Sequence, residues 1–448
     1  MSNRARRHAG TLLIACAVVL GGLAAAAIGA QHPSARPGLP DRSFADRGQR
    51  LIDYEGGEDR AYAAATQSDG KVLLAGRAKA YRTNSNLGRM AVARLRPNGR
   101  VDRHFGRKGF AIIKSWGRDD DFGVAYALEI MANGKILAAG GAVAEPSIAR
   151  FTKNGELDRS FGRRGKVQLL DNELTAAKAI EIQSNGKILL AGEGYADGHR
   201  QIMLARLDRD GRLDRSFGEG GTLVTDLGSG QSANAYDLAL QNDGKIVLAG
   251  DIAENDMLLA RFTSDGELDE SFAGDGVANG APALVGSATA VEVLSDGRIL
   301  AGGCAYGRPV TTALALARYM PDGSFDTSFA DGQGYRRYGV GDQYAGCAEG
   351  LQVTGRRIVT GAGIVRRRGG DFRFGLFGIR PDGELDRSFA RGGAIITDFD
   401  RLTRDRETDY FLEAMATRGS KPITLAGWAR RRGGSDFAVA RYRSSRGR

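Results

Sequence analysis

One short phrase, an aspartate followed three residues later by a phenylalanine, returns seven times along this chain. It reads PDRSFA (40–45), VDRHFG (101–106), LDRSFG (157–162), LDRSFG (213–218), LDESFA (268–273), FDTSFA (325–330) and LDRSFA (385–390). Its aspartates, Asp41, Asp102, Asp158, Asp214, Asp269, Asp326 and Asp386, stand 61, 56, 56, 55, 57 and 60 residues apart. A fixed period of this length means one supersecondary unit repeated, each copy burying its apolar face against the next.

The interior of each unit says what that unit is. A stretch of small and apolar residues such as ANAYDLALQ (233–241) runs into NDGKIVLAG (242–250), then MLLARF (257–262), a second Gly-containing turn and the phrase itself. Counterparts are SDGKVLLAG (68–76), ANGKILAAG (132–140), SNGKILLAG (184–192) and SDGRILAGG (295–303). Apolar β-formers split by Asn-Gly or Asp-Gly signal hairpins. Runs such as KILLAG are apolar almost throughout, which suits a sheet buried on both faces. No window after residue 30 longer than a turn has a helical period. Four short antiparallel strands, repeated seven times, predict a seven-bladed all-β propeller over residues 38–448. We label the strands a to d from the axis outward and read the phrase as the start of strand d. The a–b and c–d turns then share one face of the disc, and the longer b–c and d–a loops share the other.

In five units an arginine precedes the phrase's aspartate by eight residues: Arg94 and Asp102, Arg150 and Asp158, Arg206 and Asp214, Arg261 and Asp269, Arg318 and Asp326. The turn glycine lies between them, so a three-residue hairpin sets each pair face to face. The phenylalanine is then expected on the opposite face, as a plug between blades. Because the aspartate and phenylalanine recur in every unit and the arginine in most, they are expected to be structural. The last unit has strands a to c and no d, whereas the chain carries an extra copy of d at 39–55. The first copy should therefore close the ring, with Asp41 meeting Arg441.

LDxSFGxxG, DGKILLAG and LARYxPDG in fixed order resemble the delta-60 repeat family of bacterial proteins, akin to NHL-type propellers. The resemblance covers about residues 38–448. It implies a seven-bladed propeller, exported or surface-associated, and brings no catalytic residues with it. The later units depart from the pattern: VTGRRIVTGAG (353–363) lacks the Asp-Gly turn, and Gly378 stands where an arginine is expected before Asp386.

The first ten residues carry Arg4, Arg6 and Arg7, and an apolar run with small residues at its end follows to Ala30. We read 1–30 as an export signal, cleaved after Ala30 or retained as an anchor, and 31–37 as a short linker. The protein is thus expected outside the cytoplasm, secreted or surface-bound, meeting the membrane only through that segment. The net charge of +10 is mild for 448 residues and predicts no nucleic-acid partner.

Four histidines and three cysteines leave little for nucleophilic or zinc chemistry. His104 replaces the phrase's serine, and His199 is placed in a b–c loop. The acidic run RDDDFG (118–123) offers the oxygen ligands calcium takes, but its spacing matches no calcium loop. No catalytic residue, metal or cofactor is expected. Arg366, Arg367, Arg368 and Arg430, Arg431, Arg432 lie in b–c loops of neighbouring blades and form a candidate patch for an anionic ligand. Cys304, placed just after strand b, and Cys347, in the next blade's strand a, are either a disulfide or two buried thiols. The function expected is a monomeric, non-catalytic binding module for a protein or polysaccharide at the cell surface. The alternative is a propeller lyase or hydrolase with an acidic or metal site at the central channel.

Overall fold

The computed structural model describes residues 36–444 apart from 80–87, 117–121, 143–144, 170–173, 229, 254–255, 281–284, 307–311, 340–343, 355, 366–370, 404–407, 418–420 and 432–433. The export signal at 1–30 and residues 31–35 of the linker lie outside the described residues. Among the described residues no helix is long and apolar enough to cross a membrane.

Seven four-stranded antiparallel sheets form a seven-bladed β-propeller. Blade 4 is typical: Ala233–Leu240 (a), Ile246–Ile252 (b), Asp256–Phe262 (c) and Val277–Asn279 (d). The other innermost strands are Arg60–Thr66, Val124–Ile130, Leu174–Ile182, Gly286–Val293, Tyr344–Thr354 and Tyr410–Ala416. Strands b and c are buried at nearly every position because each blade is covered on both sides. The apolar core is accordingly divided among the interfaces. One cluster joins Leu189 and Leu204 of blade 3 to Leu248 and Leu258 of blade 4. Another joins Ala426 and Val439 of blade 7 to Leu74 and Ala93 of blade 1.

The N-terminal segment closes the ring. Gln49–Ile52 pairs with Gly434–Tyr442 and becomes the outermost strand of blade 7, Leu51 opposite Ala438. Asp41 N–H donates to the Arg441 carbonyl (2.8 Å), and Arg441 Nε donates to Asp41 Oδ2 (2.9 Å).

The phrase itself differs from its expected form. It is a tight turn, and strand d begins eight or nine residues after the aspartate, as from Asp269 to Val277. The aspartate causes this. Its Oδ1 accepts from the amide and hydroxyl of the serine two residues on, as at Asp214 and Ser216, and its carbonyl accepts from the phenylalanine N–H. Those local bonds compete with a ladder and win. The turn also removes the strand alternation that was to separate phenylalanine from arginine. The two stack, with guanidinium carbons 4.3–4.7 Å from the ring centroids of Phe44, Phe105, Phe161, Phe217, Phe272 and Phe329.

Together these residues clamp neighbouring blades. Arg94, Arg150, Arg206, Arg261 and Arg318 donate through Nε to Asp102, Asp158, Asp214, Asp269 and Asp326 at 2.6–2.9 Å. Their Nη1 groups reach carbonyls in the next blade's c–d turn, those of Lys153, Arg209, Ser264, Pro321 and Pro381. The residue after the phenylalanine is left-handed at every copy (φ 44–57°), and its N–H donates into that same neighbouring turn. Blade 6 donates from Ala390 to the Pro37 carbonyl, and Ala45 of the N-terminal segment donates to Asn98 of blade 1. The cycle of clamps therefore runs through the N-terminal segment. Gly378 leaves its place to Phe389, whose ring a β-carbon there would strike at 2.3 Å, and Arg357 from strand b supplies the missing partner for Asp386 (Nε to Oδ2, 2.5 Å).

Candidate functional site

What repeats in this molecule is used up in holding it together. The positions that vary from blade to blade converge on the axis, and one irregularity puts them there. Each innermost strand carries a β-bulge, lying in blade 4 between Ala235 and Asp237. The extra residue points into the central channel. Around the ring these residues are Tyr62, Tyr126, Lys178, Tyr236, Thr289 and Glu413, with Glu349 contributed by blade 6. The bulge needs the glycine that ends the b-strand motif LAG. A β-carbon on Gly76, Gly140, Gly192, Gly250, Gly303 or Gly427 would lie 1.8–2.0 Å from a strand a carbonyl oxygen. Blade 6 has Ala362 at that place, and its strand a instead shifts register on both sides of Ala348.

The channel is a cavity of about 230 Å3 with aromatic and acidic walls. The rings of Tyr62 and Tyr126 lie 5.4 Å apart, and Lys178 Nζ sits 4.0 Å from the Tyr126 centroid. Lys178 is also 3.3 Å from Glu193. Tyr236 donates its hydroxyl to Asp251 (3.0 Å), which further accepts from Asn234 and Ser287. Glu413 Oε1 accepts from Trp428 Nε1 (2.9 Å), and Trp428 is stacked between Phe411 and the Arg60 guanidinium.

Burial, with Glu413 close by, pushes the Glu349 carboxyl up to about 8; burial pushes Asp237 up to about 6. Three residues beyond the bulges of blades 2, 3 and 5 stand Glu129, Glu181 and Glu292. Burial, reinforced by neighbouring carboxylates, raises Glu181 to about 8 and Glu292 to about 7. Such acids bind protons more tightly in the folded chain than in the unfolded one, so stability falls as pH rises between about 4 and 8. The clamp carboxylates act in the opposite range. Burial opposes the charge on Asp158, Asp214, Asp269 and Asp326, but hydrogen bonds from Lys135, Lys187, Lys245 or Arg298 and from the phrase serines hold them below the usual carboxylate range. Their contribution is lost only below about pH 4. Thermal melts should therefore show a higher Tm at pH 5 than at pH 8, by about 5 °C, and Glu349→Gln should flatten that slope. A Tm that rises from pH 5 to pH 8 would contradict it.

The arginine patch falls largely on residues that are not described: Arg366, Arg367, Arg368 and Arg432 lie outside the described residues. Arg430 and Arg431 stand in strand b of blade 7, which pairs as far as Arg431 opposite Gly434. Both already face carboxylates, Arg430 that of Asp409 (3.5 Å) and Arg431 those of Asp436 and Asp53. Asp53, Asp59 and Asp436 form a group of three carboxylates close enough to share an ion, and Arg431 places its guanidinium against two of them. Of the run RDDDFG, residues 118–121 lie outside the described residues. His104 is exposed on a clamp turn. His199 begins strand c of blade 3 rather than lying in a loop, because Asp197 and Gly198, both left-handed, make a two-residue hairpin. Cys304 lies inside strand b of blade 5 and is joined by a disulfide to Cys347 of blade 6.

The channel residues had escaped the sequence reading, although a signal for them exists. Small residues flank most bulge positions, as in Ala61-Tyr62-Ala63, Ala125-Tyr126-Ala127 and Ala288-Thr289-Ala290. Crowding at the axis allows little else.

Five stretches, 67–105, 132–161, 183–217, 241–272 and 294–329, match the family model described as a domain of unknown function (DUF5122) beta-propeller. The chain is a β-propeller repeat protein. No curated protein matches it. Among solved structures it is similar to the PQQ-bound aldose sugar dehydrogenase of Streptomyces coelicolor (13% identity, 70% of this chain and 93% of that one, TM-score 0.41). It is similar to the polysaccharide lyase Uly1 (10%, 86% and 90%, 0.45) and to Drosophila Plexin A in complex with Semaphorin 1b (10%, 90% and 88%, 0.44).

Proposed function

We propose that this repeat protein, of the delta-60 kind, is an extracytoplasmic binding module that holds a polysaccharide or protein at the cell surface without chemical turnover. The observation that carries the reading is the division of labour among side chains. Aspartate and phenylalanine recur in every unit, the facing arginine in all but blade 6, and they satisfy one another, whereas the axial bulge position carries tyrosine in three blades (Tyr62, Tyr126, Tyr236) and Lys178, Thr289 or Glu413 in others. A rigid scaffold presenting a non-repeating polar and aromatic ring suits recognition. Tyrosine rings and carboxylates in one channel favour a hydroxyl-rich or cationic ligand, with the rings taking apolar faces and the carboxylates accepting hydrogen bonds.

Arrays of surface polysaccharides and ectodomains should yield a ligand whose binding weakens about tenfold in Tyr126→Ala and Tyr236→Ala, a loss expected for removing one good contact. Full affinity in both variants would end this reading.

The second reading, a lyase or hydrolase, draws on the raised carboxyl of Glu349 in the channel, since an acid that keeps its proton near neutral pH is equipped to donate it. It requires the wild-type protein to release reducing or unsaturated ends from a polysaccharide, and Glu349→Gln to stop that release.

A further inference from the structure

A second cavity, away from the axis, runs along the outer edge of blade 1. It measures about 610 Å3, within the ~300–1,000 Å3 of ordinary ligand sites. Its floor is strand d of that blade, Phe110–Ile112, whose outer edge pairs with no other strand among the described residues. Phe110 is all but covered, and the half-buried Tyr54 leans on it with ring centroids 5.0 Å apart. Four cations line the walls: Lys79, Arg89, Arg107 and Lys114. Arg107 and Lys114 are exposed and stand at either end of the strand; burial, with Glu55 beside it, raises the Tyr54 phenol above its ordinary value, and Arg107 and Arg89 oppose that rise in part. The Lys79, Arg107 and Lys114 side chains form no ion pair among the described residues. Two carboxylates, Glu55 and Glu156, line the same cavity.

This mixture of charges selects the ligand. Four cations around an apolar floor call for an anion. Two carboxylates within the groove oppose a dense polyanion such as a nucleic acid, which carries a charge at every phosphate. They suit a chain that is sparsely charged and rich in hydroxyls, because a carboxylate accepts hydrogen bonds from sugar hydroxyls while guanidinium and ammonium groups take the acid groups. The exposed part of the Tyr54 ring offers an apolar surface for a sugar face. We infer that the groove along strand d of blade 1 binds a segment of an acidic polysaccharide, a uronic-acid chain of two or three residues. The inference is independent of the axial channel.

The probe is trigalacturonate, titrated calorimetrically into the full chain. Saturable binding is expected that weakens with added salt, weakens about tenfold in Arg107→Glu and in Lys114→Glu, and is unchanged in Arg215→Gln, an exposed arginine that lines neither cavity. Neutral maltotriose should not bind. Both substituted side chains are exposed, and thermal melts check folding. If either glutamate variant fails to fold, Arg107→Gln and Lys114→Gln carry the same test. No binding of trigalacturonate, equal binding of maltotriose, or full affinity in the variants overturns the inference. Tighter binding of a thymidine oligonucleotide than of trigalacturonate also overturns it and reassigns the groove.

Discussion

Removing residues 36–55 is expected to abolish cooperative unfolding. The segment supplies three things to the closing interface. It provides the outermost strand of blade 7, paired from Gln49 to Ile52. It provides the fully buried Phe44 and its Asp41, partner of the buried Arg441. It also provides two links of the clamp cycle, one accepting from Ala390 at Pro37 and one donating from Ala45 to Asn98. Without it, Gly434–Tyr442 becomes a long apolar edge and Arg441 is left buried without its carboxylate, each a recognised cause of aggregation or large destabilisation. The point variant Asp41→Ala isolates the second effect and should cost about 3 kcal/mol. Denaturant unfolding followed by tryptophan fluorescence and circular dichroism measures both. A truncated protein with the cooperativity and midpoint of the full chain would show that the clasp is dispensable.

Gly250→Val is expected to be nearly as damaging, for a different reason. A β-carbon at Gly250 would lie 1.8 Å from the carbonyl oxygen of Asn234, a backbone atom that cannot swing aside. The bulge that aims Tyr236 into the channel would have to straighten, shifting the register of strand a by one residue. The loss should be about 3 kcal/mol or more, at the upper end for overpacking. Gly363→Ala is the control, since a β-carbon there meets nothing within 4 Å. Equal melting temperatures for the two variants would remove the glycine from the account of how the channel is built. Because the same glycine recurs in six blades, the channel's shape belongs to the scaffold and its chemistry to the residue carried on each bulge.

Much of the architecture is legible in the sequence because repetition averages out noise. A single Asp-Gly between apolar runs is a weak sign of a hairpin, whereas the same sign at 69–70, 243–244 and 296–297 in one fixed phase is a strong one. The arginine eight residues before the aspartate also follows from counting, since hairpin length sets which residues face each other. The phrase was harder. Its pattern reads as a strand, but the Asp carboxylate takes the Ser amide and hydroxyl into a local turn, and the phenylalanine then meets the arginine instead of opposing it. Arg357 could not be assigned to Asp386 by spacing, because the two lie 29 residues apart and meet only across blade 6.

The sequence by itself determined the number of blades, the order of their strands and the need for a clasp. Each of these is a property of periodicity and of what the last unit lacks. Only the tertiary structure decided what surrounds the axis and the rim. Tyr62, Tyr126, Lys178, Tyr236 and Glu413 come from five blades spread over some 350 residues, and a bulge one residue long turns them to the same point. Tyr54 is brought against Arg89, Arg107 and Lys114 of blade 1 by the same N-terminal segment that seats Asp41 on Arg441. Periodicity governs contacts within a blade and between neighbours. A site assembled from the non-repeating residues of several blades depends on the ring being closed.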